Sequence, residues 1–279
     1  MGKIDKQAYL RKIDETIKNG KYKDDWNSMK NIKAPEWYTK SKFGIFTHWG
    51  VYSVPAFGSE WYPKTMYEEG SREFEHHVKT YGEHKNFGYK DFVPMFKAEK
   101  FDADEWLELF ERAGAKFYTH VAEHHDGFQM YKSDISEWNS FDMGPKRDVL
   151  GELKAAGEKR GIRVGVTHHR IEHWWFMQGG KKFGSDMSRN LKKGDLYWPS
   201  MPENGWNSRY PETFMNKTKP EYMDLSIEFA EDWLIRCCEI VVVFSHRRPV
   251  QIVFFKILAH IRIESFASVH KPPVFKSVA

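Results

Sequence analysis

Apolar runs with strand character occur at residues 43–46, 116–122 and 162–167, and each is followed by a long polar loop rich in aromatic side chains. The helices that return the chain to the next strand behave oppositely, ending in turns of two or three residues, at 113–115 and 160–161. This asymmetry constrains the fold more than any other feature of the chain. Strands alternating with helices call for a parallel sheet built by crossovers. Long loops confined to the strand-to-helix side are the pattern of a TIM-type (β/α)8 barrel, whose active site those loops build. A doubly wound sheet normally carries a Gly-rich phosphate turn after its first strand, and Thr47-His-Trp-Gly50 is not one.

The remaining elements fit that frame. Residues 4–18 place Ile4, Leu10, Ile13 and Ile17 on one side of an amphipathic helix, and residues 1–30 are assigned to an N-terminal helical segment. Residues 31–240 are assigned to the barrel. Within them, 102–112 predicts a helix with Trp106, Leu109 and Phe110 on its apolar side, stopped by Gly114, and 147–159 a second, stopped by Gly161. Pro220 opens a helix to about residue 240, whose apolar side comprises Ile227, Phe229, Ala230, Trp233, Leu234 and Cys237. A fourth strand at 251–255 brings the total to about four of eight β/α units. Four strands cannot close a barrel, and they leave open edges.

Composition enters at residue 240. All 11 Trp, 13 Tyr and 20 Gly precede it, with 38 acidic against 37 basic residues. Residues 241–279 have one acid, Glu264, six Lys or Arg, and no Trp, Tyr or Gly. The formal charge of +4 is thus −1 for the body and +5 for this atypical tail, and gives no argument for nucleic acid as a partner. The tail reads as out of frame, and the expectation is a truncated product, frameshifted between codons 241 and 256. No run is long and apolar enough to span a bilayer. The charged first 24 residues lack a secretory h-region, so the expected location is cytoplasmic. Cys237 and Cys238, adjacent in sequence, are expected to be reduced thiols.

Chemistry-bearing residues gather where the three strands end. His48, Trp49, Glu60 and Trp61 follow the first, Glu123-His-His-Asp126 the second, and His168-His-Arg-Ile-Glu-His-Trp-Trp175 the third. A lone histidine is ordinarily a satisfied structural residue. Three clusters at equivalent topological positions point instead to a site. Flat rings stack on the apolar face of a pyranose, while imidazoles and carboxylates hydrogen-bond its hydroxyls.

Three segments carry a resemblance to a known family: His48-Trp-Gly-Val-Tyr-Ser-Val-Pro55 with Ser59-Glu-Trp-Tyr-Pro63, then His124-His-Asp-Gly-Phe128, then Trp138-Asn-Ser-Phe-Asp-Met-Gly-Pro-Lys-Arg-Asp148. Over residues 35–240 the chain resembles the α-L-fucosidases of glycoside hydrolase family twenty-nine. The resemblance implies retaining hydrolysis of terminal α-L-fucose from oligosaccharides or glycoconjugates, with no cofactor and no metal. It assigns fucose contacts to His48, Glu60, Trp61, His124 and His125, and more weakly to His169, where many members carry a Tyr. Trp138, Asp142, Lys146 and Arg147 are expected to order the loop and the start of the next helix. Glu172, His173, Trp174 and Trp175 are expected to rim the cleft.

Retaining hydrolysis needs two carboxyl groups about 5–5.5 Å apart. In the family the nucleophile is an Asp just past the fourth strand. Lys256 stands near that place here and has no carboxylate to offer; the acid/base lies beyond. Glu60, Glu123, Asp126 and Glu172 match neither role. The expectation is a fucosidase by descent without turnover. Two further readings are a non-catalytic fucose-binding protein and a metal-dependent barrel hydrolase. Against the last, the first strand lacks His-x-His and no His-Glu-x-x-His helix exists.

Overall fold

A computed structural model describes residues 5–23, 25–187, 191–200 and 226–245. In chain order its main elements are α1 (Lys6–Asn19), β1 (Gly44–Thr47), α2 (Arg72–Tyr81), α3 (Ala103–Arg112), β2 (Phe117–Glu123), α4 (Val149–Arg160), β3 (Arg163–His168) and α5 (Ile227–Ser245). The described residues fall into two compact units, one within 41–200 and one joining those of 5–40 to 226–245. The composition break at residue 240 therefore falls inside α5. The fourth strand expected at 251–255 and the helix start at Pro220 lie outside the described residues.

In the larger unit the three strands form one parallel sheet in the order β1-β2-β3. Gly44 pairs with Phe117, and Phe117 in turn with Arg163. Being central, β2 is the most buried strand: Tyr118, Val121 and Ala122 are at most 1% exposed. The observed sheet is thus three parallel strands with their carboxyl ends on one side.

The helices start where side chains satisfy the first free amides. Asp102 accepts from the Glu105 N–H at 3.0 Å, and Asp148 from the Gly151 N–H at 3.0 Å. α4 then packs Val149, Leu150, Leu153 and Ala156 inward. Each fully buried Leu contributes about 1.5–3 kcal/mol relative to exposure. Its close seat on β3 requires Gly157, where an added Cβ would lie 2.3 Å from Val164 Cγ2.

The apolar side of α3 differs from the sequence expectation. Ala103 and Leu107, one turn apart, are the buried pair, whereas Leu109 is 58% exposed. Trp106 and Phe110 flank that pair through ring contacts to Trp49 and Tyr118. The helix is rotated so that its i, i+4 small-and-Leu row meets its neighbours.

In the smaller unit α1 packs against α5. Leu10 is buried, and Lys6 bonds Asp232 at 3.1 Å. α5 buries Phe229, Ala230, Trp233, Leu234 and Cys237 as its spacing predicts, but Ile227 is exposed. Cys237 and Cys238 are both free thiols, and burial pushes the Cys238 thiol up to about 12. No described helix is long and apolar enough to cross a membrane.

Candidate functional site

β1, β2 and β3 end at Thr47, Glu123 and His168, and the residues that follow form a histidine cluster. Ring centroids of His48, His124 and His169 are 5.1–5.5 Å apart. His125 lies 4.2 Å from His124 and 5.3 Å from His169. Neighbouring residues on a strand face opposite ways. His124 and His125 share one cleft because β2 has already ended: its register breaks between Val121 and Glu123, and the chain turns at Gly127. Gly127 has φ +85°, and a Cβ there would lie 2.9 Å from the Arg170 guanidinium.

Burial holds these imidazoles neutral. Desolvation pushes His124 well below its ordinary range, helped by His125, His169 and His48. His125 is lowered to about 3 and His169 to about 4, both chiefly by desolvation. His48 is lowered by desolvation, against the opposing charge of Glu60. A neutral imidazole offers one donor and one acceptor, the pairing a sugar hydroxyl needs.

The two adjacent histidines are not equivalent. His125 Nδ1 lies 2.9 Å from the His169 carbonyl, which can only accept, so Nδ1 carries the proton. Its Nε2 lone pair then faces Glu172 Oε2 at 3.2 Å. Desolvation raises the Glu172 carboxyl to about 7. His125 is thus tied to the His169 carbonyl through one ring nitrogen and has the Glu172 carboxyl beside the other. His124 is 2% exposed, and neither of its ring nitrogens has a hydrogen-bond partner among the described residues.

Rings wall the cluster. Trp61 lies 5.5 Å from His125 and 5.3 Å from Phe176, which itself lies 4.7 Å from His125. Tyr52 lies 4.9 Å from His124.

Beneath the cluster the buried carboxylates are paired, although neither ring nitrogen of His168 makes a hydrogen bond among the described residues. Arg170 Nη1 donates to Glu123 Oε1 at 2.9 Å, with both side chains fully buried. His168 Nε2 is 3.3 Å from the other Glu123 oxygen, and Arg170 Nη2 donates to the Trp198 carbonyl. Tyr89 donates to Asp126 at 2.6 Å; desolvation still raises that carboxyl to about 7. Tyr67 and Tyr197 both donate to Asp186.

The fold thus brings together His48, Trp61, His124, His125 and His169, with Glu60 acting electrostatically on His48. His173 and Trp174 do not rim the cleft. Both are buried, because a 3-10 turn at Arg170–Glu172 and a helix at His173–Phe176 carry them inward, and His173 Nδ1 donates to the His125 carbonyl. The side chain of Trp175 and all of Lys256 lie outside the described residues. Asp142, Lys146 and Arg147 order the loop as expected. Asp142 accepts from Asn139, Lys146 bonds the Asp142 carbonyl, and Arg147 reaches Glu152 and the Phe101 carbonyl. The Lys90 ammonium lies over the Trp138 ring. Sequence reasoning passed over Tyr52, Arg170 and Phe176, although each stands beside or inside a quoted run of site residues.

Imidazoles, carboxylates and aromatic rings gathered at the carboxyl ends of parallel strands, each strand leading through a loop to a helix, define a β/α protein with its candidate site at the strand ends. The chain belongs to the alpha-L-fucosidase family of glycoside hydrolases, whose model matches residues 9–250. It is 40% identical over 209 residues to the tissue alpha-L-fucosidase of Rattus norvegicus, covering 67% of this chain and 45% of that protein. The tissue enzyme of Homo sapiens is 43% identical over 210 residues, covering 67% and 44% respectively. The chain therefore spans less than half the length of these relatives. Among solved structures, Thermotoga maritima alpha-fucosidase in complex with fucose aligns with a TM-score of 0.62 at 29% identity, covering 90% of this chain and 55% of that one. The same enzyme with a mechanism-based inhibitor gives 0.62 at 32% identity, covering 80% and 47%.

Proposed function

We propose that this chain is the fucose-recognising part of a retaining α-L-fucosidase built on a TIM-type barrel, and that on its own it binds a terminal α-L-fucoside without hydrolysing it. The observation that carries this reading is His124: a buried imidazole with neither ring nitrogen hydrogen-bonded among the described residues, set among His48, His169 and Tyr52, with Trp61 against the adjoining His125. Leaving such a group unpaired costs about 1–3 kcal/mol. Sugar hydroxyls can recover that, donating to one nitrogen and accepting from the other. Trp61 offers a ring for the apolar face of the sugar, and Glu60 an acceptor for a further hydroxyl.

Among the described residues, the places of the carboxylates other than Glu60 support an absence of turnover. Glu123 is locked to Arg170 and Asp126 to Tyr89, both buried. Glu172 faces His125 rather than open cleft. Lys256 stands in the sequence near the place where the family resemblance puts an Asp nucleophile. A pair about 5–5.5 Å apart across a scissile bond is what retaining hydrolysis demands.

The test is a titration of the purified chain with methyl α-L-fucoside by saturation-transfer NMR, beside an assay with an aryl α-L-fucoside. Saturable binding that His124→Ala abolishes, with no turnover, is expected. Turnover abolished by a single substitution among residues 41–240 would overturn the non-catalytic reading, and absence of any fucoside binding would overturn the recognition reading.

A further inference from the structure

His48, His124 and His169 are far apart in sequence, yet each offers a ring nitrogen, and these nitrogens all lie within 4.8 Å of one another. We infer that the three imidazoles form a binding site for a divalent transition-metal ion of borderline softness, Zn2+ foremost, and that an ion bound there occupies the space of the sugar and excludes it.

Donor chemistry and geometry support the site. Three imidazoles with an open fourth position form an established zinc coordination set. Imidazole also suits Cu2+ and Ni2+, whereas Mg2+ and Ca2+ prefer oxygen. A Zn–N bond of about 2.0–2.1 Å places tetrahedral ligand nitrogens about 3.3 Å apart. The present spread reaches that distance by small side-chain rotations, and His48 and His169, only partly buried, have room to make them. His124 supplies the second observation, because its buried nitrogens have no partner among the described residues and a coordinate bond would satisfy one. The imidazoles are neutral near pH 7, so no proton must leave before an ion enters. Glu60, whose charge reaches His48, partly offsets the positive charge of an ion.

Other histidine groups fail the same criteria. His77 and His84 stack at 4.6 Å, but His77 Nδ1 meets the Tyr62 hydroxyl and its Nε2 the Phe87 carbonyl, while His84 Nε2 meets the Met66 carbonyl. His125 is held by the His169 carbonyl and Glu172. The ion has no part in hydrolysis; it is a competitor of the sugar.

The experiment is equilibrium dialysis of the chelator-treated chain against ZnCl2, with bound metal counted by mass spectrometry and CoCl2 substituted for spectroscopy. One tightly bound equivalent is expected. It should be lost in His124→Ala and in His48→Gln, the latter at a half-exposed loop position that leaves the core intact. It should be kept in His76→Ala and in Cys237→Ser/Cys238→Ser, with no thiolate charge-transfer band in the cobalt spectrum. Absence of the equivalent in the unaltered chain, its retention in both His124→Ala and His48→Gln, or its loss with the two cysteines overturns the site. The exclusion half rests on the fucoside reading: Zn2+ filling about nine sites in ten should weaken methyl α-L-fucoside binding about tenfold. Zinc bound without any fucoside binding removes the sugar reading and leaves the metal site standing. Fucoside bound equally well with zinc in place overturns the exclusion.

Discussion

Glu123 and Arg170 are both fully shielded from solvent, and their response to substitution should be asymmetric. A guanidinium cannot shed its proton in a protein, whereas a carboxyl can gain one. Glu123→Gln strands a permanent buried cation and should cost about 3–5 kcal/mol at every pH. Arg170→Met strands a carboxyl that can neutralise itself. At pH 4 that variant should lose only its charged hydrogen bonds, about 1.5–3 kcal/mol. With the folded-state Glu123 pKa now raised, the folded state binds more protons than the unfolded one above about pH 4.3, and stability falls as pH rises. The slope approaches about 1.4 kcal/mol per pH unit until the raised pKa is passed. His168, 3.3 Å from Glu123, is replaced by Gln throughout so that it cannot supply the proton. The assay is urea unfolding followed by tryptophan fluorescence at pH 4, 5.5 and 8. Equal cost of Arg170→Met at pH 4 and 8, or a cost for Glu123→Gln that tracks pH, would refute the reasoning.

Three other outcomes follow from described contacts. Asp126 is raised from 3.8 to about 7 by desolvation, so its ionisation opposes folding increasingly between those pH values, and Asp126→Asn should flatten the fall in stability across that window, read by urea midpoints. Gly157→Ala should cost about 1–3 kcal/mol through its clashes with Val164 and the Ile162 carbonyl, and Val164→Ala should relieve only the side-chain part; a neutral Gly157→Ala in thermal unfolding would contradict the close packing of α4 on β3. Leu107→Ala should cost about 2–5 kcal/mol and Leu109→Ala no more than about 0.5, a contrast that calorimetry would reverse if α3 faced the way its apolar spacing alone suggests.

The three strands were legible to within one or two residues because each is an apolar run bounded by a turn and by a site loop. The helix starts were legible to within two residues, 102 and 147 against the observed Ala103 and Val149; the caps that set them, Asp102 and Asp148, were passed over, whereas Gly161 was seen to end α4. The rotation of α3 was not. Trp106 and Phe110 do meet neighbouring rings, but Leu109 of the same spacing is left exposed while Ala103 and Leu107 are covered, a choice that only the neighbouring elements make. The site was legible as a list, because His48, Trp61, His124, His125 and His169 follow strand ends that a parallel sheet must bring together. What each residue does there was not. Adjacent histidines look alike in a sequence, yet one is tied to the His169 carbonyl and Glu172 while the other has both nitrogens free of described partners. Likewise His173 and Trp174 look like cleft residues until a single 3-10 turn buries them.

The ring contacts around His124 involve Phe46, His48, Tyr52, Trp61, His125, His169 and Phe176, or stack directly on them. They therefore fall within one uninterrupted stretch of 131 positions, from residue 46 to residue 176. A ribosome making this polypeptide works through them strand by strand, in one continuous passage of the gene, so every ring of the cluster is synthesised before any residue after 176 is added.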